Sequence, residues 1–167
     1  MALDIEYVRK QFPSLVTEWT LMDNAGGSQI LKGVVDKITQ YYYSNNVQTG
    51  GSYELSQKAA SSLAEGRKNI ATLFNASRPE EIVFGPSTTV LMQFLAKAMA
   101  HQFQAGDEIV VTNIDHESNI GPWVALQKIG VNIKFWNMNE QTFELELDEL
   151  DKLMTDKTKL VCCTHVS

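Results

Sequence analysis

Cysteine is scarce: the 167-residue chain has two, Cys162 and Cys163, side by side. Neighbouring strand residues point to opposite faces, which disfavours a disulfide between them, and both read as buried apolar thiols. Histidine is as sparse, with three dispersed residues, so the ligand spacing of a metal site is missing and no metal residue is assigned. Basic residues are also few, 14 against 20 acidic ones, for a net charge of -6. They are scattered, which argues against a nucleic-acid partner, because phosphate neutralisation needs clustered Lys and Arg. No apolar run approaches the length of a membrane span. The opening Met1-Ala2-Leu3-Asp4-Ile5-Glu6 is acidic and has no signal-peptide pattern. The expectation is a cytoplasmic chain with no membrane partner. Neither G-x-G-x-x-G nor G-x-x-x-x-G-K-[ST] occurs, so the common dinucleotide and nucleotide loops are excluded. Internal repeats, coiled coil and low-complexity tracts are missing too.

What is present is ordinary globular composition, 44% apolar and 20% charged, at the length of one domain. Ile5, Val8 and Phe12 give a short amphipathic helix ending at Pro13. Helical spacing recurs from Leu31 to Tyr42, and a longer helix over 53–74 would bury Leu55, Ala59, Leu63, Ile70 and Phe74. From there short apolar runs alternate with helical stretches. Strands are predicted over 81–84, 108–112, 131–136 and 159–164. Helices are predicted over 88–103, from about Gly121-Pro122 to Gly130, and near 146–154. Pro122 suits a first helical position and Gly130 a helix end. Such alternation implies an α/β fold, a three-layer α/β/α arrangement with a mainly parallel sheet covered on both faces. The chain stops at the exit of its last strand, where a loop and another helix are expected, as in a piece of something longer.

Ligands of open parallel sheets bind beyond the carboxyl ends of the strands. The stretch Gly85-Pro86-Ser87-Thr88-Thr89 lies at one such end and opens a helix. Ser87 is a good N-cap, and no Asp or Glu occupies the first turn. A helix start with free N–H groups and two threonine hydroxyls is an anion seat; an ordinary capped helix is the alternative. The next end, Asn113 to Asn119, carries His116, which reads as a structural imidazole or as one that stacks on a flat ring or shuttles a proton. The last end carries Thr164-His165-Val166-Ser167, with His165 in a comparable place; His101 reads as surface. A Cys163–His165 nucleophile pair is disfavoured, and the acidic pairs Glu80/Glu81 and Glu144/Glu146/Asp148 read as solvated.

Taken in order, these stretches resemble the class V aminotransferase family of fold type I. They are Met22-Asp23-Asn24-Ala25-Gly26-Gly27-Ser28-Gln29, Glu81 to Thr89, Gly106 to Val111, Asp115 to Trp123, and Thr164 to Ser167. Cysteine desulfurases and desulfurase-like proteins are the nearest kind. The resemblance covers the whole chain and implies its cofactor, pyridoxal 5'-phosphate. It also implies that these residues are the N-terminal portion of the major domain of a protein more than twice as long. Residues 1–30 would be an N-terminal helix and substrate-side segment, and 31–167 the N-terminal part of the cofactor-binding large domain.

Site roles follow residue by residue. Ser87, Thr88 and Thr89 would hold the cofactor phosphate, and His116 would stack on the pyridine ring as the catalytic histidine. Asn24, Ala25, Gly26 and Gly27 would line the substrate side. The resemblance further implies a small amino-acid substrate, a homodimeric parent and a sulfur-acceptor protein as a possible partner. Desulfurases of the nearest group carry a His-Arg pair where this chain reads Thr49-Gly50, which weakens the case for cysteine as substrate. The Gly26-Gly27 pair is more typical of the desulfurase-like branch. The family's Schiff-base lysine, the Asp pairing with the pyridine nitrogen and the mobile-loop cysteine all correspond to positions beyond Ser167. The 167 residues alone are therefore expected to be inactive. An epimerase or aminotransferase of the same family is the alternative, as is a truncated, non-catalytic binding or dimerisation module.

Overall fold

The computed structural model describes residues 2–166; Ser167, the last residue of the Thr164 motif, lies outside them. Contacts gather the chain into two compact units, Met1–Ile82 and Val83–Ser167, where its length had suggested one.

The first unit is helical. Its elements are α1 (Ile5–Lys10), α2 (Lys32–Ser44) and α3 (Glu54–Leu73). Asp4 caps α1 by accepting the Tyr7 amide at 3.0 Å. Ser56 of α3 is fully buried and pins the preceding turn: its Oγ accepts from the Gly51 amide and donates to the Gln48 carbonyl. The face expected to be buried on α3 is only partly so. Ala59 is enclosed, whereas Leu63 is 49% and Phe74 72% exposed, and Leu55 is exposed as well. Helical periodicity identified the element, but no sheet lies under this unit among its described residues to cover the apolar stripe.

The second unit contains a three-stranded parallel sheet of β1 (Glu108–Thr112), β2 (Asn132–Trp136) and β3 (Thr158–Cys162), in the order β2-β1-β3. Val110 is in register with Lys134 of β2 and Val161 of β3. The run Glu-Ile-Val-Val-Thr suits the central strand: β-branched side chains fill both faces, and Ile109, Val110 and Val111 are fully buried. Helices α4 (Thr88–Met99) and α5 (Glu117–Val124) cover one face. There Ala96, Trp123, Leu126 and Val131 pack with Ile109 and Val111. On the opposite, Val110-side face runs α6 (Leu147–Leu153), to which Lys134 is tied by a 2.8 Å bond from its Nζ to the Leu153 carbonyl. This is the α/β/α layering expected. The chain steps one way from β1 to β2 and back across β1 to β3, and right-handed crossovers in opposite directions put α5 and α6 on opposite faces.

Glu108 closes the base of the sheet. Its Oε2 accepts from Lys134 Nζ at 2.7 Å, Thr155 Oγ1 at 2.6 Å and Thr158 Oγ1 at 3.2 Å. Gly130 turns the chain into β2 with φ +90°, and a Cβ there would lie 2.7 Å from the Ala105 Cβ. Only glycine meets both conditions.

Three expectations are corrected. Residues 82–84 form no strand: a 3-10 turn at Pro79–Glu81 leads into an irregular segment in which Val83 is 70% exposed. Apolarity alone does not make a strand, and these residues are not part of the three-stranded sheet. Helix α5 begins at Glu117, so Pro122 lies inside it; His116 supplies the cap five residues earlier than the proline suggested. Finally, the cysteines are not both buried, because Cys162 is half-buried and Cys163 exposed.

Candidate functional site

In the second unit, α4 and α5 pack side by side with their starts bordering one groove of about 570 Å³, lined by Thr89, Gln93, Lys97, Glu117 and Gly121. The start of α4 has the Ser87 cap expected from the sequence. Ser87 is extended, and its Oγ accepts the Val90 amide at 3.3 Å. The first turn holds no acid, and the side chains of Thr88 and Thr89 are exposed. Cap and dipole favour an anion there, and no carboxylate of the turn competes.

His116 caps the next helix. Its Nδ1 accepts the Ser118 amide at 3.0 Å and lies 2.8 Å from Ser118 Oγ. A nitrogen that accepts a backbone N–H carries no proton, so the neutral ring holds its hydrogen on Nε2. The imidazole is exposed, and its contacts are local to its own turn.

Around that turn lies a network that sequence reasoning missed. Thr112 Oγ1, at the end of β1, donates to Asp115 Oδ2 at 2.7 Å and accepts the Asp115 amide at 3.1 Å. Both Asp115 oxygens accept the Thr164 amide beyond β3. Burial alone would raise the Asp115 pKa, but hydrogen bonds from Thr164 and Thr112, with a smaller contribution from Asn119, hold it below the ordinary carboxylate value. Three residues on from His116, Asn119 Oδ1 lies 3.1 Å from Cys162 Sγ and accepts its S–H. Burial raises the Cys162 pKa, so this thiol is a hydrogen-bond donor and not a ready nucleophile. The flanking of His116 by Asp115 and Asn119 was visible in the sequence, but their partners are 49 and 43 residues away.

The other expected positions are placed simply. Asn24, Ala25, Gly26 and Gly27 belong to the first unit, in an exposed turn whose Gly26 amide donates to Asp23 Oδ1 at 3.0 Å. A Cβ at Gly26 would lie 2.6 Å from Asp23 Oδ2. His165 and His101 are both exposed. Among the described residues no cluster of His, Cys, Asp and Glu could hold a metal ion, and no helix is long and apolar enough to cross a membrane.

Residues 20–167 match the family described as Aminotransferase class-V. Among curated relatives, the "Aminotransferase-like protein FGM3" of Gibberella zeae is 41% identical over 99% of this chain and 42% of its own length. A "Cysteine desulfurase" of Yersinia pestis is 33% identical over the whole chain and 43% of its own length. Among solved structures, the apo cysteine desulfurase of Thermococcus onnurineus superimposes with a TM-score of 0.85 at 33% identity, over 96% of this chain and 40% of that one. The chain thus spans about two fifths of the length of the relatives it matches. Family match, parallel-sheet fold and ordered motifs agree, and the chain belongs to the aminotransferase class-V family.

Proposed function

We propose that this chain is the N-terminal, cofactor-seating part of a pyridoxal-phosphate-dependent, cysteine desulfurase-like enzyme acting on a small amino acid. The observation that carries the reading is that the acid-free, Ser87-capped start of α4 and the start of α5 border one groove, through Thr89 and Glu117, with His116 the cap one residue before Glu117. These residues fit the cofactor. The free N–H groups of the α4 turn with the Thr88 and Thr89 hydroxyls would receive its phosphate, and the exposed imidazole of His116 would lie on its ring. When bound, pyridoxal phosphate supplies an electron sink for bonds at the substrate α-carbon. The chain's own contribution is to bind the phosphate and to orient the ring. His116 would present an Nε2–H at the site, since its Nδ1 is occupied by the Ser118 amide.

In this reading residues 1–30 are the substrate-side segment, to which Asn24 to Gly27 belong, and 31–167 begin the large domain. The parent is a cytoplasmic homodimer, and a sulfur-acceptor protein is its partner if cysteine is the substrate. The 167 residues alone are inactive, because the groups that tether the cofactor and protonate its ring lie elsewhere in the parent. A second reading, an aminotransferase or epimerase of the same family, draws on Thr49-Gly50, where the nearest desulfurases carry His-Arg, and on the aminotransferase-like relative at 41% identity.

Calorimetric titration with 4-deoxypyridoxine 5'-phosphate, which has no aldehyde to react with lysine, tests the seat. Binding that is lost in Thr89→Asp supports it; no binding by the unmodified chain overturns it. Cysteine-dependent sulfide release by the purified chain would overturn the claim of inactivity.

A further inference from the structure

Among the described residues the hydrogen bonds of His116 are to Ser118 of its own turn, so the orientation of its ring is set by the turn that carries it. That turn is tied to β1 through Thr112 and to the β3 side on both flanks of the histidine. Asp115, one residue before, takes the Thr164 amide with both oxygens at 3.0 and 3.2 Å. Asn119, three residues after, takes the Cys162 S–H at 3.1 Å. Thr164 and Cys162 are two residues apart at the exit of β3. Only residues 116–118 lie between the two ties. A turn anchored at one end keeps backbone freedom, whereas one anchored at both ends loses it on folding and not on ligand binding.

We propose that Asp115 and Asn119 are positioning residues that pin the His116 turn to the exit of β3 and hold the imidazole in the orientation needed against a flat cofactor ring. The proposal rests on the pyridoxal-phosphate reading of the site and adds residues to it. Neither side chain need touch the cofactor. Each acts through its partner on β3 or just beyond it, and the Cys162 thiol serves as a donor in that scaffold. The phosphate seat at Ser87 to Thr89 lies on α4, outside the tied segment, so ring recognition and phosphate recognition separate.

The test compares two probes on the unmodified chain, Asp115→Asn and Cys162→Ala. Inorganic phosphate reads the α4 seat alone; 4-deoxypyridoxine 5'-phosphate reads seat and ring together. Asparagine is isosteric with aspartate but removes the charge and replaces one acceptor oxygen with an N–H donor, so the two-oxygen hold on the Thr164 amide is lost, and alanine removes the donor to Asn119. In each variant phosphate affinity is expected to stay unchanged, while affinity for the ring-bearing probe falls: about tenfold for Asp115→Asn, the equivalent of one charge-assisted hydrogen bond, and less for Cys162→Ala, whose thiol is a weak, neutral donor. Nitrogen-15 correlation spectra of the imidazoles supply a readout that needs no ligand. The unmodified chain should show His116 as a single Nε2–H tautomer, and the variants an averaged one. Equal weakening of both probes, or neither, together with unchanged His116 spectra, would overturn the proposal. If the unmodified chain binds neither probe, the cofactor reading fails, and the spectra alone decide whether Asp115 and Asn119 hold the ring.

Discussion

Asp115 and Thr164 join the exits of two parallel strands: the carboxylate beyond β1 accepts the backbone amide beyond β3 through both oxygens. This bond has a defined acid limb. Burial alone would raise the Asp115 pKa, but the hydrogen bonds from Thr164 and Thr112 outweigh it, and the folded value lies below the unfolded one. The carboxylate therefore contributes stability that is fully present above the unfolded pKa and is lost as pH falls through the folded one. Urea midpoints should decline from about pH 4 downward. Asp115→Asn should flatten that decline and, at neutral pH, cost about 1.5–3 kcal/mol, the range for a hydrogen bond to a charged group. A variant whose acid limb parallels that of the parent would refute the assignment.

Glu108 gives a second acid-sensitive contact, at the opposite end of β1. Lys134 is the main cause of its lowered pKa, followed by Thr155. The sign is the same as for Asp115: the contribution is present above the unfolded glutamate pKa and disappears on acidification. Lys134→Met should be more damaging than Glu108→Gln. It leaves a carboxylate between β1 and α6 with hydroxyl partners only, whereas glutamine keeps a neutral acceptor for Thr155 and Thr158. Equilibrium urea melts of the two variants at pH 7 give the order, and the reverse order would contradict it.

Trp123 is the largest fully buried side chain, and it bridges α5 to the β1 face. Among the described residues its indole N–H has no hydrogen bond of full geometry, although it interacts with the Cys162 sulfur. Trp123→Ala should cost about 3–5 kcal/mol, as large-to-small core changes do. Trp123→Phe keeps most of the volume and discards a polar group that is poorly paired. Its cost should stay under about 1.5 kcal/mol. A near-equal loss in the two variants would show that the N–H matters more than the packing.

These sites differ in how legible they were. The run Glu108–Thr112 was readable because a strand buried on both faces is apolar at every position, and Gly130 because a positive φ selects glycine. Ser87 was readable because a cap acts on its own helix, within three residues. Ile82-Val83-Phe84 misled, since a short apolar run does not by itself join the sheet. The start of α5 misled because Pro122 is a strong local mark and histidine an uncommon cap, which works here only because its Nδ1 reaches the Ser118 amide. The bonds from Asp115 to Thr164 and from Asn119 to Cys162 could not be read at all. They depend on strand order, which places β3 beside β1, and no local pattern encodes that order.

The start of α4 allows stability and binding to be driven in opposite directions by one substitution. Thr89 is the second residue of the helix, and its first turn has no acid to offset the positive end of the dipole. Thr89→Asp places a carboxylate where a helix welcomes one, and the gain should be about 0.3–1 kcal/mol at low ionic strength. The same carboxylate would occupy the position proposed for the phosphate and repel it. The variant should therefore melt higher than the parent while losing affinity for both inorganic phosphate and 4-deoxypyridoxine 5'-phosphate. Ser87→Ala should do the reverse to stability, costing about 0.5–2 kcal/mol through the lost bond to the Val90 amide. Because that change frees an N–H and adds no charge, it should weaken anion binding far less than Thr89→Asp does. Were Thr89→Asp to stabilise the helix and leave phosphate affinity intact, the α4 start would be an ordinary capped helix, and the anion seat would have to be sought elsewhere.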